Sequence, residues 1–128
     1  MSQLRILIFV TLIAAAVGTA YWMLRPTSPE LPVQVWVKGR GTGETVRLYA
    51  SGRFESSHWC DVCTPTSQTG TWTESPGAIT LRRTSGEIAV LRHIRFRGCR
   101  ALARKEAPEP RLPTDVFFQA SERCGDAR

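Results

Sequence analysis

The chain begins with an apolar segment and continues with a region in which apolar and polar residues alternate. Residues 6–24 contain no charged side chain, and from Val33 onward short stretches have an apolar residue at every second position. A continuous apolar run of this length predicts a helix of bilayer length, whereas alternation predicts strands with one buried face. The pattern therefore predicts one N-terminal helix followed by an all-β domain.

Turn signals divide the alternating region into short strands. They occur near residues 41, 52, 76 and 86, and most of the intervals are about ten residues long. This spacing is typical of an antiparallel barrel or sandwich. We therefore expect a small antiparallel partial barrel or sandwich, preceded by one N-terminal transmembrane or signal helix.

One interval is longer, and it contains a C-x-x-C motif. The pattern predicts a loop of thirteen residues from Ser56 to Gln68, which includes His58, Cys60 and Cys63. Loops of this length in small domains are usually functional or held in place. We therefore expect this loop to be a binding site, a metal site or a disulfide-pinned segment.

The C-terminal segment permits two readings. Three prolines exclude regular structure before Thr114: Pro108, Pro110 and Pro113. Beyond them, alternation of Val116, Phe118 and Ala120 predicts a strand. The alternative is a helix that Thr114 caps and Gly125 ends. The strand is our prediction.

The N-terminal run predicts a retained membrane anchor. Residues 6–24 would form a helix about 28 Å long, which matches the hydrocarbon thickness of a bilayer. Arg5 and Arg25 flank the run. The alternative is a signal peptide cleaved after Ala20, but the apolar run continues through Leu24, which favours retention.

These features divide the chain into three parts. Residues 1–25 form the anchor or signal segment, residues 26–32 a Pro-rich linker, and residues 33–128 one β domain. Beyond Arg25 there are 15 basic and 11 acidic residues, a net charge of +4. We place the domain on the extracytoplasmic, periplasmic side of a single-pass membrane protein. There its possible partners are an envelope protein or an anionic lipid or glycan, and no nucleic acid is expected.

The four cysteines predict two disulfides. Cys60 with Cys63 and Cys99 with Cys124 are the pairs that lie nearest in sequence, and disulfides persist outside the cytosol. The alternative is a metal site, with zinc or copper bound by His58, Cys60 and Cys63. Dithiol redox activity is a further option, although no βαβ pattern surrounds the motif.

A basic face is predicted on one later strand. His93, Arg95 and Arg97 alternate with Ile94 and Phe96, so the cations share one side. This side is either the solvated face of a half-buried sheet or a surface that binds anionic groups. The sequence contains no Ser-His-Asp order, Gly-rich phosphate loop or helical His pair, and we predict no catalytic residue and no resident cofactor.

Part of the chain resembles a known family. Val46–Phe54, the C-x-x-C motif, Gly70–Trp72 and Ile79–Leu81 are similar to the strands of lipocalin-like bacterial envelope barrels of the copper-homeostasis lipoprotein type. The resemblance covers residues 45–82 and implies an antiparallel partial barrel. This chain lacks the family's lipid-attachment cysteine, and its C-x-x-C follows the first hairpin. We carry over the fold but not the metal role, and predict a membrane-anchored envelope domain that serves as a non-catalytic binding or structural module.

Overall fold

The computed structural model describes residues 2–23, 28–40 and 42–124. The chain divides into two compact units, Met1–Glu30 and Leu31–Arg128. The first contains helix α1 (Ser2–Met23), in which the Thr19 hydroxyl donates to the carbonyl oxygens of the preceding turn. Among the residues that can be described, no helix is both long enough and apolar enough to cross a membrane. The predicted anchor and linker fall partly on residues 24–27, which lie outside the described residues.

The described part of the second unit forms eight antiparallel strands that close into a barrel. The strands are β1 (Pro32–Arg40), β2 (Thr42–Tyr49), β3 (Arg53–Trp59), β4 (Thr66–Ser75), β5 (Ala78–Arg83), β6 (Ile88–Phe96), β7 (Cys99–Arg104) and β8 (Phe117–Gln119). Each strand pairs with the next along the chain, and β8 pairs with β1. The predicted antiparallel all-β architecture is confirmed, and the barrel closes completely.

Alternate residues of the strands fill the barrel interior. The core residues are Trp36, Val46, Leu48, Phe54, Ile79, Leu81, Leu91, Leu102 and Phe117. Eight strands enclose a space that side chains can fill, and here aromatic rings take much of it. A β-carbon at Gly70 would lie 2.7 Å from Cε1 of Phe54, so the absence of a side chain on β4 makes room for that ring.

A second apolar cluster covers the outside of the barrel where β8 closes it. Its buried members are Phe96, Ala101, Ala103, Val116, Phe118 and Cys124. β8 therefore buries both faces, with Phe117 inside the barrel and Phe118 in the outer cluster. The predicted C-terminal strand is confirmed, although it is shorter than the alternating pattern suggested.

The predicted loop from Ser56 to Gln68 is wrong in extent. β3 and β4 remain paired as far as His58 and Thr66, so only residues 60–65 connect them. Ser and Thr occupy both faces of both strands here, even at Ser56, which is buried and paired with the core residue Val46, and this polar stretch hides the strand pattern. The long connection is instead residues 105–116, between β7 and β8, which contains the 3-10 helix Pro113–Asp115.

Candidate functional site

The turns of the barrel lie at two ends. We call one the entry end, because β1 begins there; its turns are residues 50–52, 76–77 and 97–98. The far end carries the connections at residues 60–65, 84–87 and 105–116. Each sequence-predicted site residue lies near one of these ends.

The C-x-x-C motif forms a disulfide at the far end. Cys60 is bonded to Cys63 at the tip of the β3–β4 hairpin, and Cys99 is bonded to Cys124, which confirms both predicted pairs. Between the first pair, Val62 is 99% exposed. The tip is therefore a small covalent ring that presents its side chains to solvent.

The oxidised motif is not a thiolate metal site. Zinc needs deprotonated thiolates, and both sulfurs of the motif are in a disulfide. His58 lies on β3, opposite Glu44 on one neighbour and Thr66 on the other. Within the described ranges, no three His, Cys, Asp or Glu side chains form a group that could hold a metal ion. The zinc alternative would thus concern the reduced protein.

The predicted basic face divides at the end of β6. His93 lies on the inward side of the strand, where its ring centroid is 6.2 Å from that of Trp36 and Nε2 is 3.5 Å from the Glu74 carboxylate. Arg95 follows on the same side and donates to the carbonyl oxygen of Gly98. Arg97 lies beyond the strand, in the turn, with a left-handed backbone (φ 49°). Its guanidinium lies 5.2 Å from the Phe96 ring centroid.

A small polar pocket surrounds His93 at the entry end. It has a volume of about 90 Å³ and is lined by Gln34, Trp36, Glu74, His93, Arg100 and Gln119. The polar groups pair with one another: Trp36 Nε1 donates to Gln34 at 2.9 Å, and Arg100 donates to Gln119 at 2.9 Å and to Glu122 at 2.7 Å. These groups therefore already have hydrogen-bond partners, and the pocket is smaller than an ordinary ligand pocket.

A larger groove opens at the far end, beneath the β7–β8 connection. It has a volume of about 700 Å³, within the range of ligand pockets, and is lined by Lys38, Ala107, Pro108, Glu109, Arg111, Leu112 and Asp115. The wall is partly apolar, and Leu112 is 58% exposed. We call it the far-end groove.

Asp115 shapes the groove by holding the connection in place. Its Oδ2 accepts hydrogen bonds from the backbone N–H groups of Leu112 at 2.8 Å and Arg111 at 2.9 Å. These two bonds, Leu112 first, lower the pKa of the Asp115 carboxyl, and the positive charge of Lys38 adds to the effect. The carboxylate is thus ionised and already engaged.

The acidic side chains of the groove have charged or hydrogen-bonding partners, whereas its basic side chains have no carboxylate partner among the described residues. Glu109 pairs with Arg92 at 3.3 Å, and Asp115 is bonded to the backbone. Among the described residues, neither Lys38 nor Arg111 lies within salt-bridge distance of a carboxylate. Lys38 Nζ lies 5.5 Å from the ring centroid of Phe117, a residue of the barrel core. The groove lining therefore contains two cations without a carboxylate partner among the described residues and two carboxylates that already have donors, beside a partly apolar wall.

Sequence reasoning missed this groove. Its lining comes from β1 and from the proline-containing connection, which are about 70 residues apart in the chain. The length of that connection was the available signal, since long connections in compact domains are usually functional. The pattern placed the long loop at Ser56–Gln68 instead.

Together, the fold and the groove define a small closed β-barrel with an open, ligand-sized groove at one end. No family model matches the chain, and no curated protein matches it significantly.

Proposed function

We propose that the chain is a membrane-anchored, non-catalytic binding module of the extracytoplasmic side, which takes an anionic amphiphile in the far-end groove. The observation that carries this proposal is the pair of cations, Lys38 and Arg111, beside the apolar wall of a groove of about 700 Å³. A carboxylate or phosphate would meet the cations, and an apolar stem would lie along Ala107, Pro108 and Leu112.

The charge arrangement favours an anionic ligand over a cationic one. Both carboxylates of the groove already have donors, so a cation would have to compete with Arg92 or with backbone N–H groups. An anion finds Arg111, whose planar guanidinium suits two oxygens, and Lys38, whose ammonium lies next to an aromatic ring. No covalent step is implied.

The support for the proposed membrane anchor comes from the sequence. Residues 6–24 are free of charge and long enough for a bilayer at 1.5 Å per residue. Four cysteines in disulfides favour a compartment outside the reducing cytosol. Together they support a tethered domain on the extracytoplasmic face.

The binding proposal is tested by titrating the full chain, in nanodiscs of zwitterionic lipid, with hexanoate and with 1-hexanol. We expect saturable amide shifts in Ala107–Asp115 with hexanoate, and weaker ones with the uncharged alcohol. Arg111→Gln should weaken hexanoate binding about two- to fivefold, the effect of a partly exposed charge pair.

The matched control is Lys105→Gln, which removes one charge from an exposed position of the same connection outside the groove lining. Its hexanoate affinity should equal that of the wild type. Equal shifts with the acid and the alcohol, or shifts centred outside the groove, would show that the groove is not an anion site.

A further inference from the structure

The chain enters the barrel at the end that carries exposed arginines. β1 begins at Pro32, at the entry end, and eight residues separate it from the last residue of α1, Met23. Eight residues span at most about 29 Å even when fully extended. If residues 6–24 are held in a bilayer, the linker therefore joins the barrel at the end that carries these arginines.

Three exposed arginines at this end have no carboxylate partner among the described residues. They are Arg95, Arg97 and Arg123, and we call them the arginine rim. Arg123 belongs to this end because the next residue, Cys124, is bonded to Cys99 at the start of β7. Other cations of the entry end are already paired: Arg53 with Glu55 and Arg100 with Glu122. The rim is thus the part of this end with unbalanced positive charge.

Arg97 occupies a position that disfavours its residue type. Phe96 pairs with Cys99, so Arg97 and Gly98 form a two-residue hairpin loop in which both φ angles are positive, 49° and 82°. Such loops favour Asn or Gly at the first position, because a β-carbon crowds the left-handed backbone. A strained residue with an exposed cationic side chain at a hairpin tip points to a binding role.

We infer that the arginine rim docks on the anionic lipid headgroups of the membrane that holds the anchor. Guanidinium groups bind phosphate oxygens in pairs, and basic residues close to a membrane anchor are attracted to the negative surface. The inference rests on the anchor of the proposed function and adds an orientation to it.

The orientation is measured on the full chain in nanodiscs that carry a gadolinium chelate on a fraction of the headgroups. In discs of phosphatidylcholine with one quarter phosphatidylglycerol, the amide of Gly98 should broaden more than that of Val62 at the far end. The broadening ratio, which is the line broadening at Gly98 divided by that at Val62, should fall in pure phosphatidylcholine. It should also fall in 0.5 M salt, because screening weakens charge attraction. Equal broadening at both ends of the barrel in the anionic discs would overturn the rim proposal.

The variant Arg97→Asn separates membrane docking from folding. Asn tolerates the left-handed backbone, so the melting temperature should rise while the broadening ratio falls. Arg82→Gln is the matched control: it removes one charge from an exposed position on β5 and should leave the ratio unchanged. A ratio that survives both Arg97→Asn and the double change Arg95→Glu, Arg97→Glu would also overturn the rim proposal.

Failure of the anchor gives a different result. A chain that leaves the disc in a high-salt wash has no anchor, and the rim proposal then falls with it. A chain that stays in the disc without an end preference keeps the anchor and overturns the rim alone.

Discussion

Gly70 shows how tightly a single position of the barrel wall is constrained. A β-carbon there would meet the backbone oxygen of Arg82 and would lie 2.7 Å from Cε1 of Phe54, which is fully buried. Moving either the paired strand or the buried ring away would be energetically costly, because both are closely packed. The glycine is therefore required by packing at this point.

We expect Gly70→Ala to destabilise the barrel by about 1–3 kcal/mol, the usual cost of overpacking. Urea unfolding of the full chain measures the change. Thr73→Ala, at an exposed position of the same strand, should cost less than about 1 kcal/mol. Equal effects of the two substitutions would show that Phe54 and the wall adjust around the new methyl group.

A residue-scale pH effect is expected at Glu55. Its carboxylate accepts hydrogen bonds from the Arg53 guanidinium and from the Tyr49 hydroxyl, the latter at 2.8 Å. These bonds, Arg53 first, lower the pKa of Glu55 below its ordinary value of 4.5. Because the unfolded chain takes up the proton at higher pH, this stabilisation is complete above pH 4.5 and is lost as the pH falls toward the folded value.

Glu55→Gln should therefore reduce the fall in stability below pH 5. The side chain is 37% exposed, so solvent screening limits the contribution to about half a kcal/mol. Chemical unfolding between pH 3 and pH 7 measures it, and the variant should approach the wild type at the acid end. If the free energies of unfolding of variant and wild type differ by the same amount at every pH, the ionisation of Glu55 does not contribute to the pH dependence of stability.

At the scale of elements, barrel closure depends on the shortest strand. β8 has three residues and pairs with β1 through Trp36 with Gln119 and Val37 with Phe118. It is held from outside by the second apolar cluster and by the disulfide between Cys99 and Cys124. The disulfide thus supplements the pairing of β8 with β1, because β8 is too short to keep the barrel closed by its own hydrogen bonds.

Cys124→Ser should accordingly destabilise the domain by about 2–5 kcal/mol, because the lost bridge spans 25 residues and its sulfur is buried. Cys63→Ser removes a bridge that spans only three residues and should cost about 2 kcal/mol or less. Guanidinium unfolding of both variants gives the comparison. A larger loss of unfolding free energy for Cys63→Ser would mean that the tip of the β3–β4 hairpin, and not the closure of the barrel at β8, limits stability.

At the scale of the whole molecule, the proposed anchor makes a prediction about both termini. A C-terminal reporter fusion should read extracytoplasmic, and the chain should remain in membranes after alkaline washing, because 19 uncharged residues would span the bilayer. Mass spectrometry should find the intact N-terminus. A mature N-terminus at Tyr21 would replace the anchor by a signal peptide, and a cytoplasmic reporter would reverse the orientation.

The cysteine state of the whole chain decides between the disulfide and zinc accounts. We expect thiol counting under denaturing conditions to find no free thiol in the protein from its native compartment, and metal analysis to find no stoichiometric zinc. Removal of metal by a chelator should then leave the melting temperature unchanged. Four free thiols with one bound zinc would support the zinc alternative instead.

The sequence by itself determined the class of fold and the cysteine pairing. Alternation over stretches such as Val33–Val37 and turn residues at intervals of about ten are local properties, so they identify antiparallel strands without knowledge of their neighbours. The disulfides followed from nearness in the chain, since Cys60 with Cys63 and Cys99 with Cys124 require the least rearrangement. The suggestion of a C-terminal strand came from the same local alternation.

Only the tertiary structure decided where strands continue, which faces are buried and where the groove lies. The segment from Ser56 to Gln68 resembles a loop in the sequence because polar residues occupy both faces of its strands, even at Ser56, which is buried beside the core residue Val46. β8 buries both Phe117 and Phe118, so alternation alone could not define its bounds. The far-end groove joins Lys38 to Arg111, residues brought together by barrel closure. Contacts between residues far apart in the chain leave no periodic signal in the sequence. These contacts form only when the barrel closes.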